Sequence, residues 1–328
     1  MAATLQGFDA EFRDLEHYIR AITERIWEGR RLDDIERYYS ADCAVETPGS
    51  VSIGVASVIA GTVATQRAFP DRRLLAEDVI VAGDAAQGFL SSHRIFSPMT
   101  HAGPGDFGVP TGRAVYARTI ADCVCINNRI VHEWLVRDQA AIARQIGAHE
   151  RDVAQRWLNQ RGGFHKATMP MAPAPYRSLI DEGELAQRYA GAYRALWRGE
   201  GFAAAAAMFD DHAIVALPGS EVAVDRAGRE DFWAGLFGAL QPQQVDIEHL
   251  VSRPRGDQVT RVAMRWRART LHAGDSGQGG VGRYGRASGR PVELLAIHHA
   301  EIEQGRVQRE WVLLDDVATW MQVLQAQH

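Results

Sequence analysis

The sequence has little of the material on which several protein classes depend. Only three cysteines, Cys43, Cys123 and Cys125, occur among its 328 residues, too few for the disulfide framework of a small secreted domain. No apolar run approaches the roughly 20 residues that span a bilayer. The first residues carry neither the basic nor the apolar region of a secretory signal. We therefore expect a cytoplasmic protein that does not bind membranes.

Positive charge is not in excess. Lysine and arginine together number 36 against 41 acidic residues, which gives a net charge of -5. A surface that binds nucleic acid needs clustered cations to neutralise phosphates. The composition therefore predicts that nucleic acid is not a partner.

Motifs for bound metals and nucleotides are missing as well. The sequence has no His-x-x-x-His or Cys-x-x-Cys spacing, and the adjacent His298 and His299 point to opposite faces of a predicted strand. Two Gly-x-Gly-x-x-Gly patterns, which begin at Gly103 and Gly277, do not open a helix and predict loops. We expect no metal and no cofactor, which leaves cofactor-free acid–base chemistry.

What the sequence does contain is an internal repeat. Three short segments recur in order: Trp27-Glu28-Gly29 with Trp197-Arg198-Gly199, Pro48-Gly49-Ser50 with Pro218-Gly219-Ser220, and Thr111-Gly112-Arg113 with Ser288-Gly289-Arg290. The first two pairs are 170 positions apart and the third pair is 177 apart. The second copy therefore has a net insertion, most of which we place between Gly274 and Gly285.

Both copies show the same order of elements. Helical periodicity covers about Phe8 to Glu28 in the first copy and Leu179 to Arg198 in the second, and two shorter helices follow in each. Four strand patterns come after the helices, and hairpin turns join the last two. Helices followed by antiparallel strands predict an α+β fold. We expect domains at 1–147 and 178–328, with a helical and proline-rich linker at 148–177.

The first copy carries several motifs in a fixed order. They are Thr100-His101-Ala102-Gly103, Pro110-Thr111-Gly112-Arg113, Glu133-Trp134 with Asp138, and a last helix that ends near Gly147. This order resembles the SnoaL-like polyketide cyclase family of the NTF2-like superfamily. The second copy is looser, since it keeps His272, Glu310-Trp311 and Asp315 but has Leu271 where the threonine is expected.

The resemblance implies a cone-shaped, curved antiparallel sheet in each copy, with about three helices that enclose an apolar pocket. Family members include aldol cyclases, isomerases, hydratases and dehydratases as well as non-catalytic binders, so the fold alone does not fix a reaction. Single domains of the family commonly pair through the outer face of the sheet. A tandem chain is therefore expected to form an intramolecular pseudo-dimer, with a homodimer as a further state.

The last strand of the first copy supplies the main catalytic candidate. Strand alternation places Asp138, Trp134 and His132 on one face, and the resemblance implies that this face lines the pocket, with Asp138 as general acid or base. The matching residues of the second copy are Asp315 and Trp311. The alternative interpretation is that both aspartates cap the helices that follow them.

Carbon–carbon chemistry beside a carbonyl also needs a group that stabilises an enolate. The candidates in the first copy are His93, Arg94, His101 and Arg118, with Tyr116, Asp122, His132, Trp134 and Trp27 as predicted substrate contacts. The candidates in the second copy are Asp315, Trp311, His272, Arg265 and His299. For the arginines the alternative is a surface salt bridge, and for His101 it is a hydrogen bond that stabilises a turn.

Three functions remain open at this point. The first is a cofactor-independent lyase or isomerase that acts on a small hydrophobic, aromatic or polyketide-like carbonyl compound or alcohol. The second is a small-molecule binding protein without chemistry, and the third is an epoxide hydrolase-like activation of water by Asp122, Arg118 and Asp138. Because the first copy matches the family motifs better, it is the expected active copy.

Overall fold

The computed structural model describes residues 5–274 and 283–325. Most of the predicted insertion between Gly274 and Gly285, including the pattern that begins at Gly277, lies outside these described residues. The chain divides into two compact units. The first unit contains Met1–His149 and His165–Ser178, and the second contains Glu150–Phe164 and Leu179–His328.

The first unit is a six-stranded sheet with helices. Its helices are α1 (Leu15–Trp27), α2 (Asp33–Tyr38), α3 (Val55–Ala68) and α4 (Gln139–Ile146). Its strands are β1 (Tyr39–Thr47), β2 (Ser50–Ile53), β3 (Leu75–Asp84), β4 (Gly88–Thr100), β5 (Ala114–Ile126) and β6 (Arg129–Arg137). The strand order is β2-β1-β6-β5-β4-β3.

The second unit repeats this architecture. Its helices are α5 (Glu150–Arg161), α6 (Glu184–Trp197), α7 (Phe202–Ala206), α8 (Arg226–Ala239) and α9 (Asp316–Leu324), with a 3-10 turn at Pro218–Ser220. Its strands are β7 (Phe209–Leu217), β8 (Glu221–Ala223), β9 (Leu240–Arg255), β10 (Val259–His272), β11 (Pro291–Glu303) and β12 (Arg306–Leu313). The order β8-β7-β12-β11-β10-β9 matches the first unit. The prediction of two tandem NTF2-like α+β domains is confirmed.

The sheets differ from the prediction in one respect, because they are mixed rather than wholly antiparallel. Strand β1 runs parallel to β6, and β7 runs parallel to β12. The sequence did not reveal β1 or β2. Strand β1 mixes exposed and buried positions without regular alternation, so it lacks the period-two pattern by which a half-buried strand is found.

The segment predicted as a linker is divided between the two units. Helix α4 ends at Gly147, where φ is 88° and the backbone adopts the left-handed conformation. Helix α5 belongs to the second unit and packs on α9, with the Arg151 guanidinium 5.8 Å from the Trp320 ring centroid. Residues 165–178 belong to the first unit. None of the described helices is long and apolar enough to cross a membrane.

Helices cover one face of each sheet, which we call the interior face. In the first unit α1 packs on it through Tyr18 and Ile22, which share a core with Cys123 of β5. Cys123 lies opposite Glu133 across the β5–β6 pair, whereas Trp134 lies opposite Asp122 on the other face. The orientation implied by the family resemblance is therefore reversed. Glu133, and not Trp134, faces the interior.

The interior face of the second unit follows the same rule. The Trp197 ring of α6 lies 4.8 Å from the Trp266 ring of β10. Trp266 is paired with Ala296, and alternation along β11 brings His298 onto the same face. The pairing of Ala300 with Glu310 then places Glu310 on the interior face too. The second unit thus directs a histidine and a glutamate into its interior.

Candidate active site

A pocket opens into the interior of the second unit. The lining is mostly apolar and comes from α6, α7, β7, α8 and β12: Leu196, Phe202, Ala205, Ala206, Phe209, Val215, Leu217, Arg226, Arg229, Glu230, Trp233 and Glu310. The pocket therefore combines an apolar body with a few charged groups.

Glu310 is the deepest charged group of this pocket, with 1% of its surface exposed. Its Oε1 accepts hydrogen bonds from the hydroxyls of Tyr189 and Tyr193, the second at 2.5 Å. The two tyrosines are four residues apart on α6, so they lie on the same side of the helix. Within residues 5–274 and 283–325, no hydrogen bond to the other carboxylate oxygen, Oε2, is found. The carboxylate is held by one oxygen and borders the pocket.

A histidine stands beside this carboxylate. The Nδ1 atom of His298 lies 3.5 Å from Glu310 Oε1, and both side chains are buried. The other ring nitrogen, Nε2, accepts a hydrogen bond of 3.0 Å from the indole N–H of Trp266. An indole can only donate, so Nε2 carries a lone pair and the proton of the neutral ring is on Nδ1. Trp266 thereby places the ring proton of His298 on the nitrogen nearer Glu310, and within the described residues that N–H makes no hydrogen bond.

The two phenols remain protonated donors. Burial raises the pKa of Tyr189 and of Tyr193 well above the usual value, and the neighbouring Glu310 carboxylate raises both further. A phenol with a raised pKa keeps its proton at neutral pH. Both hydroxyls therefore remain hydrogen-bond donors to Glu310.

Arg229 of α8 places a cation at the same pocket. It is 8% exposed and donates to the carbonyl oxygens of Ala213 and Asp210, at 3.0 and 3.1 Å. Burial lowers the pKa of Arg229 from its usual value, while the charge of Glu310 acts in the opposite direction. By contrast, Arg226 at the exposed rim pairs with Glu230 at 2.6 Å. One pocket therefore presents both a carboxylate and a buried guanidinium.

The first unit has a buried glutamate at the same position but different neighbours. Burial raises the pKa of Glu133 to about 7, and a hydrogen bond from Tyr39 opposes that shift. The position of His298 is taken by Ala121, and those of Tyr189 and Tyr193 are taken by Ile19 and Thr23. The first interior therefore lacks the histidine and the phenol pair that surround Glu310.

The two aspartates proposed as acid–base groups act as helix caps. Asp138 accepts a hydrogen bond of 2.9 Å from the backbone N–H of Ala141, at the start of α4. Asp315 accepts one of 3.1 Å from Ala318, at the start of α9. These contacts match the alternative interpretation of both residues, although neither contact tests a catalytic role.

Arg94 and Arg118 meet on a single carboxylate. The Nε atoms of Arg94 and Arg118 lie 3.1 and 2.9 Å from Oε2 of Glu77. Tyr116 is 43% exposed, and its ring lies 5.4 Å from that of Phe96 on the face opposite the helices. The structure thus brings these predicted residues together as an ion-pair cluster outside the interior.

His101, directly after β4, and His272, the last residue of β10, each contact a hydroxyl group in the loop that follows the strand. His101 Nδ1 lies 3.2 Å from Thr111 Oγ1, and His272 Nδ1 lies 2.8 Å from Ser288 Oγ. His93 is different, because it is buried on the interior face and burial lowers its pKa to about 3. A histidine with that pKa is neutral throughout the physiological range.

The remaining predicted contacts also divide by face. His132 and Trp134 have ring centroids 4.6 Å apart, on the face that carries Asp122. In the second unit His299 lies opposite Trp311, and Arg265 pairs with Glu248 at 3.3 Å, also away from the interior. Trp27, another predicted contact, packs with a buried arginine, Arg72, whose guanidinium is 5.1 Å from its ring.

Sequence reasoning missed Glu310 and Arg229, which line the pocket. It also missed the groups clustered around Glu310, which are Tyr189, Tyr193, His298 and Trp266. Two signals were present. Tyr189 and Tyr193 have helical spacing on the predicted first helix of the second copy, and Glu310 belongs to the recurring Glu-Trp motif. Across the described ranges, no group of three or more His, Cys, Asp or Glu side chains is arranged to hold a metal ion.

Comparisons with known proteins place the two halves in one family. The model of the SnoaL-like polyketide cyclase family matches residues 17–146 and 187–323. No curated protein is similar enough to match the chain.

Solved structures that resemble the chain each cover about one of its halves. IdmH of Streptomyces antibioticus, described as a candidate polyketide cyclase, is 21% identical, covers 40% of this chain and 98% of its own, and has a TM-score of 0.36. AclR of Streptomyces galilaeus, described as a candidate hydroxylase, is 19% identical over 40% and 80%, with a TM-score of 0.36. A SnoaL-like polyketide cyclase of Agrobacterium tumefaciens is 24% identical over 40% and 98%, with a TM-score of 0.33.

Proposed function

The chain belongs to the SnoaL-like polyketide cyclase family, and we propose that its second unit is a cofactor-independent acid–base catalyst. Its substrate is a small hydrophobic carbonyl compound, and its reaction is of the lyase or isomerase type. The observation that carries this proposal is the buried Glu310, which borders an apolar pocket while two tyrosines hold its Oε1.

Glu310 is placed to move a proton. Its Oε2 takes the proton from the carbon next to the substrate carbonyl, and the electron pair of that C–H bond forms an enolate. The guanidinium of Arg229 lines the same pocket and stabilises the oxygen that gains the charge. Return of the proton to another carbon shifts a double bond, loss of a β-hydroxyl gives dehydration, and attack on a second carbonyl closes a ring.

The proposal moves the active site from the first copy, where the sequence motifs favour it, to the second. The role of general base passes from Asp138 and Asp315 to Glu310, because the aspartates cap helices. The epoxide hydrolase-like alternative loses support because Arg118 binds Glu77. A cytoplasmic location and an intramolecular pseudo-dimer stay predictions.

Enolisation can be tested without the natural substrate. We would measure deuterium incorporation from D₂O into the carbon next to the carbonyl of 2-tetralone, a hydrophobic ketone with an acidic C–H. The Glu310→Gln variant is expected to lose at least about 100-fold of the protein-dependent exchange. Asp315→Asn, which keeps a capping side chain, is the matched control and should exchange as the wild type does.

Two outcomes would contradict the proposal. Equal exchange in wild type and in a folded Glu310→Gln variant would remove Glu310 as the base. Binding of 2-tetralone in the second unit with exchange no faster than in buffer would favour a binding protein without chemistry.

A further inference from the structure

A buried arginine lies inside the first unit, away from the pocket just described. Arg72, in the turn after α3, is 4% exposed. Its Nη2 donates to Ser97 Oγ at 3.2 Å, and its guanidinium carbon lies 5.1 Å from the ring centroid of Trp27. Its Nε is buried and has no hydrogen-bond partner within the described part of the chain.

The polar groups around Arg72 lie on the interior face. Ser97 is paired with Ala117 across β4 and β5, and Thr119 is the next residue on the same face of β5. Both hydroxyl side chains are buried, and Thr119 Oγ1 likewise has no hydrogen-bond partner among the described residues. Among the described residues, one guanidinium N–H and one hydroxyl on this part of the interior face therefore lack a hydrogen-bond partner.

The charge balance in this region is positive. Burial lowers the pKa of Arg72 well below its usual value, and the nearby charge of Arg137 lowers it further, with only Glu28 acting in the opposite direction. A buried cation that lacks a carboxylate partner is costly, and a ligand that brings an anionic oxygen removes that cost.

We propose that the interior of the first unit binds a planar, hydrophobic carboxylate, with its oxygens on Arg72 and its ring system beside Trp27. The guanidinium offers paired N–H donors that match a carboxylate, and the hydroxyl of Thr119 supplies a further contact. This site does not depend on proton transfer in the second unit. The two units would then recognise different chemical features.

The test uses 1-naphthoate and its neutral counterpart, 1-naphthalenemethanol. We would measure binding by isothermal titration calorimetry with wild type and with Arg72→Met, which keeps most of the side-chain volume. The variant is expected to weaken 1-naphthoate binding at least about 10-fold, since a charge-assisted hydrogen bond is lost. Binding of the alcohol should change little.

Stability separates a binding role from a structural one. Without ligand, Arg72→Met is expected to unfold at the same temperature as wild type or higher, because an unpaired buried charge has been removed. Addition of 1-naphthoate should raise the unfolding temperature of wild type and not of the variant. An arginine that only supports the fold would give the reverse, a variant that melts lower or does not fold.

Two further variants locate the ligand. Ser97→Ala keeps Arg72 and its charge but removes the hydroxyl that holds the guanidinium, and it should weaken 1-naphthoate binding by a few-fold. Glu310→Gln should leave that affinity unchanged, so failure of the proposed catalysis would not affect this result. Loss of 1-naphthoate binding in Glu310→Gln, or equal binding by wild type and Arg72→Met, would overturn the proposal.

Discussion

The interiors of the two units share a backbone plan but present different polar groups. The second interior places a carboxylate, Glu310, under two tyrosine hydroxyls. The first interior places a guanidinium, Arg72, beside a serine hydroxyl and an indole ring. Duplication has kept the strand order while the groups that face inward have changed. The units are therefore copies in architecture and not in chemistry.

The position of one histidine shows how a small change alters the chemistry. In the first unit His93 of β4 is paired with Ala121 of β5. At the matching pair of the second unit, Met264 of β10 faces His298 of β11. The imidazole has moved one strand closer to β12, and there it reaches within 3.5 Å of Glu310.

The polar lining of the first interior is correspondingly absent from the second. Alanines, Ala268 and Ala296, occupy the positions that match Ser97 and Thr119. A buried polar group needs hydrogen-bond partners close to it. A copy that lacks the buried group does not need those partners, so apolar residues can replace them.

The largest effect is expected for Glu133, whose substitution should change how the free energy of unfolding depends on pH. Because its pKa is about 7 in the folded unit against 4.5 for an unperturbed glutamate, the folded state keeps a proton that the unfolded state loses. The free energy of unfolding should therefore fall by about 3 kcal/mol as the pH rises from 4.5 to 7. Glu133→Gln should remove this fall, as measured by urea unfolding between pH 5 and 8.

The control for Glu133 is Glu36→Gln, which changes an exposed glutamate of the same unit. His93 acts in the opposite direction, since its folded pKa of about 3 makes stability rise with pH between 3 and 6.5. The free energy of unfolding of Glu133→Gln should therefore be compared with that of wild type at each pH, because the contribution of His93 is the same in both. A difference that does not change with pH would show that Glu133 is not protonated in the folded protein.

An intermediate effect is expected from Trp266→Phe in the second unit. Loss of the indole N–H frees His298 Nε2, so the ring proton is no longer held on Nδ1 beside Glu310. We expect the ¹⁵N chemical shifts of His298 to show that the ring proton is no longer confined to Nδ1. We also expect the deuterium exchange of 2-tetralone to slow by about 10-fold.

A matched control is available in the same cluster. Trp197 packs on Trp266, and its indole N–H has no hydrogen-bond partner within the described ranges. Trp197→Phe removes the same atoms and should leave the tautomer of His298 unchanged. Identical ¹⁵N spectra of His298 in wild type and Trp266→Phe would refute the positioning role of Trp266.

The smallest effects concern the helix-capping aspartates. Asparagine caps a helix about as well as aspartate, whereas alanine does not. Asp138→Asn should therefore preserve both stability and exchange, and Asp138→Ala should lower the free energy of unfolding by about 1 kcal/mol. A large loss of exchange in Asp138→Asn, with stability intact, would return the catalytic role to the first copy.

Much of the fold could be predicted because the repeat and the strand pattern are local signals. Strand β5, Ala114–Ile126, belongs to the four strand patterns recognised after the helices of the first copy, since turn residues bound it. Alternation also grouped Trp134 with His132 correctly. It could not say which group faces the helices, because a period of two is the same from either side of a sheet.

The site was harder to predict because its members are distant in sequence. Tyr193 and Glu310 are 117 positions apart and meet only when α6 packs over β12. Arg229 gives no local signal at all, since its role depends on two backbone carbonyls of another element. The recurring Glu-Trp motif contains Glu310, but the family resemblance emphasises the tryptophan and the aspartate beyond it.

The most direct test of the difference between the units is one matched pair of substitutions, Glu310→Gln and Glu133→Gln. Deuterium exchange of 2-tetralone would be measured for both variants and for wild type under the same conditions. We predict that Glu310→Gln loses at least about 100-fold, while Glu133→Gln exchanges as the wild type does. Loss of exchange in Glu133→Gln with full exchange in Glu310→Gln would contradict the assignment of catalysis to the second unit.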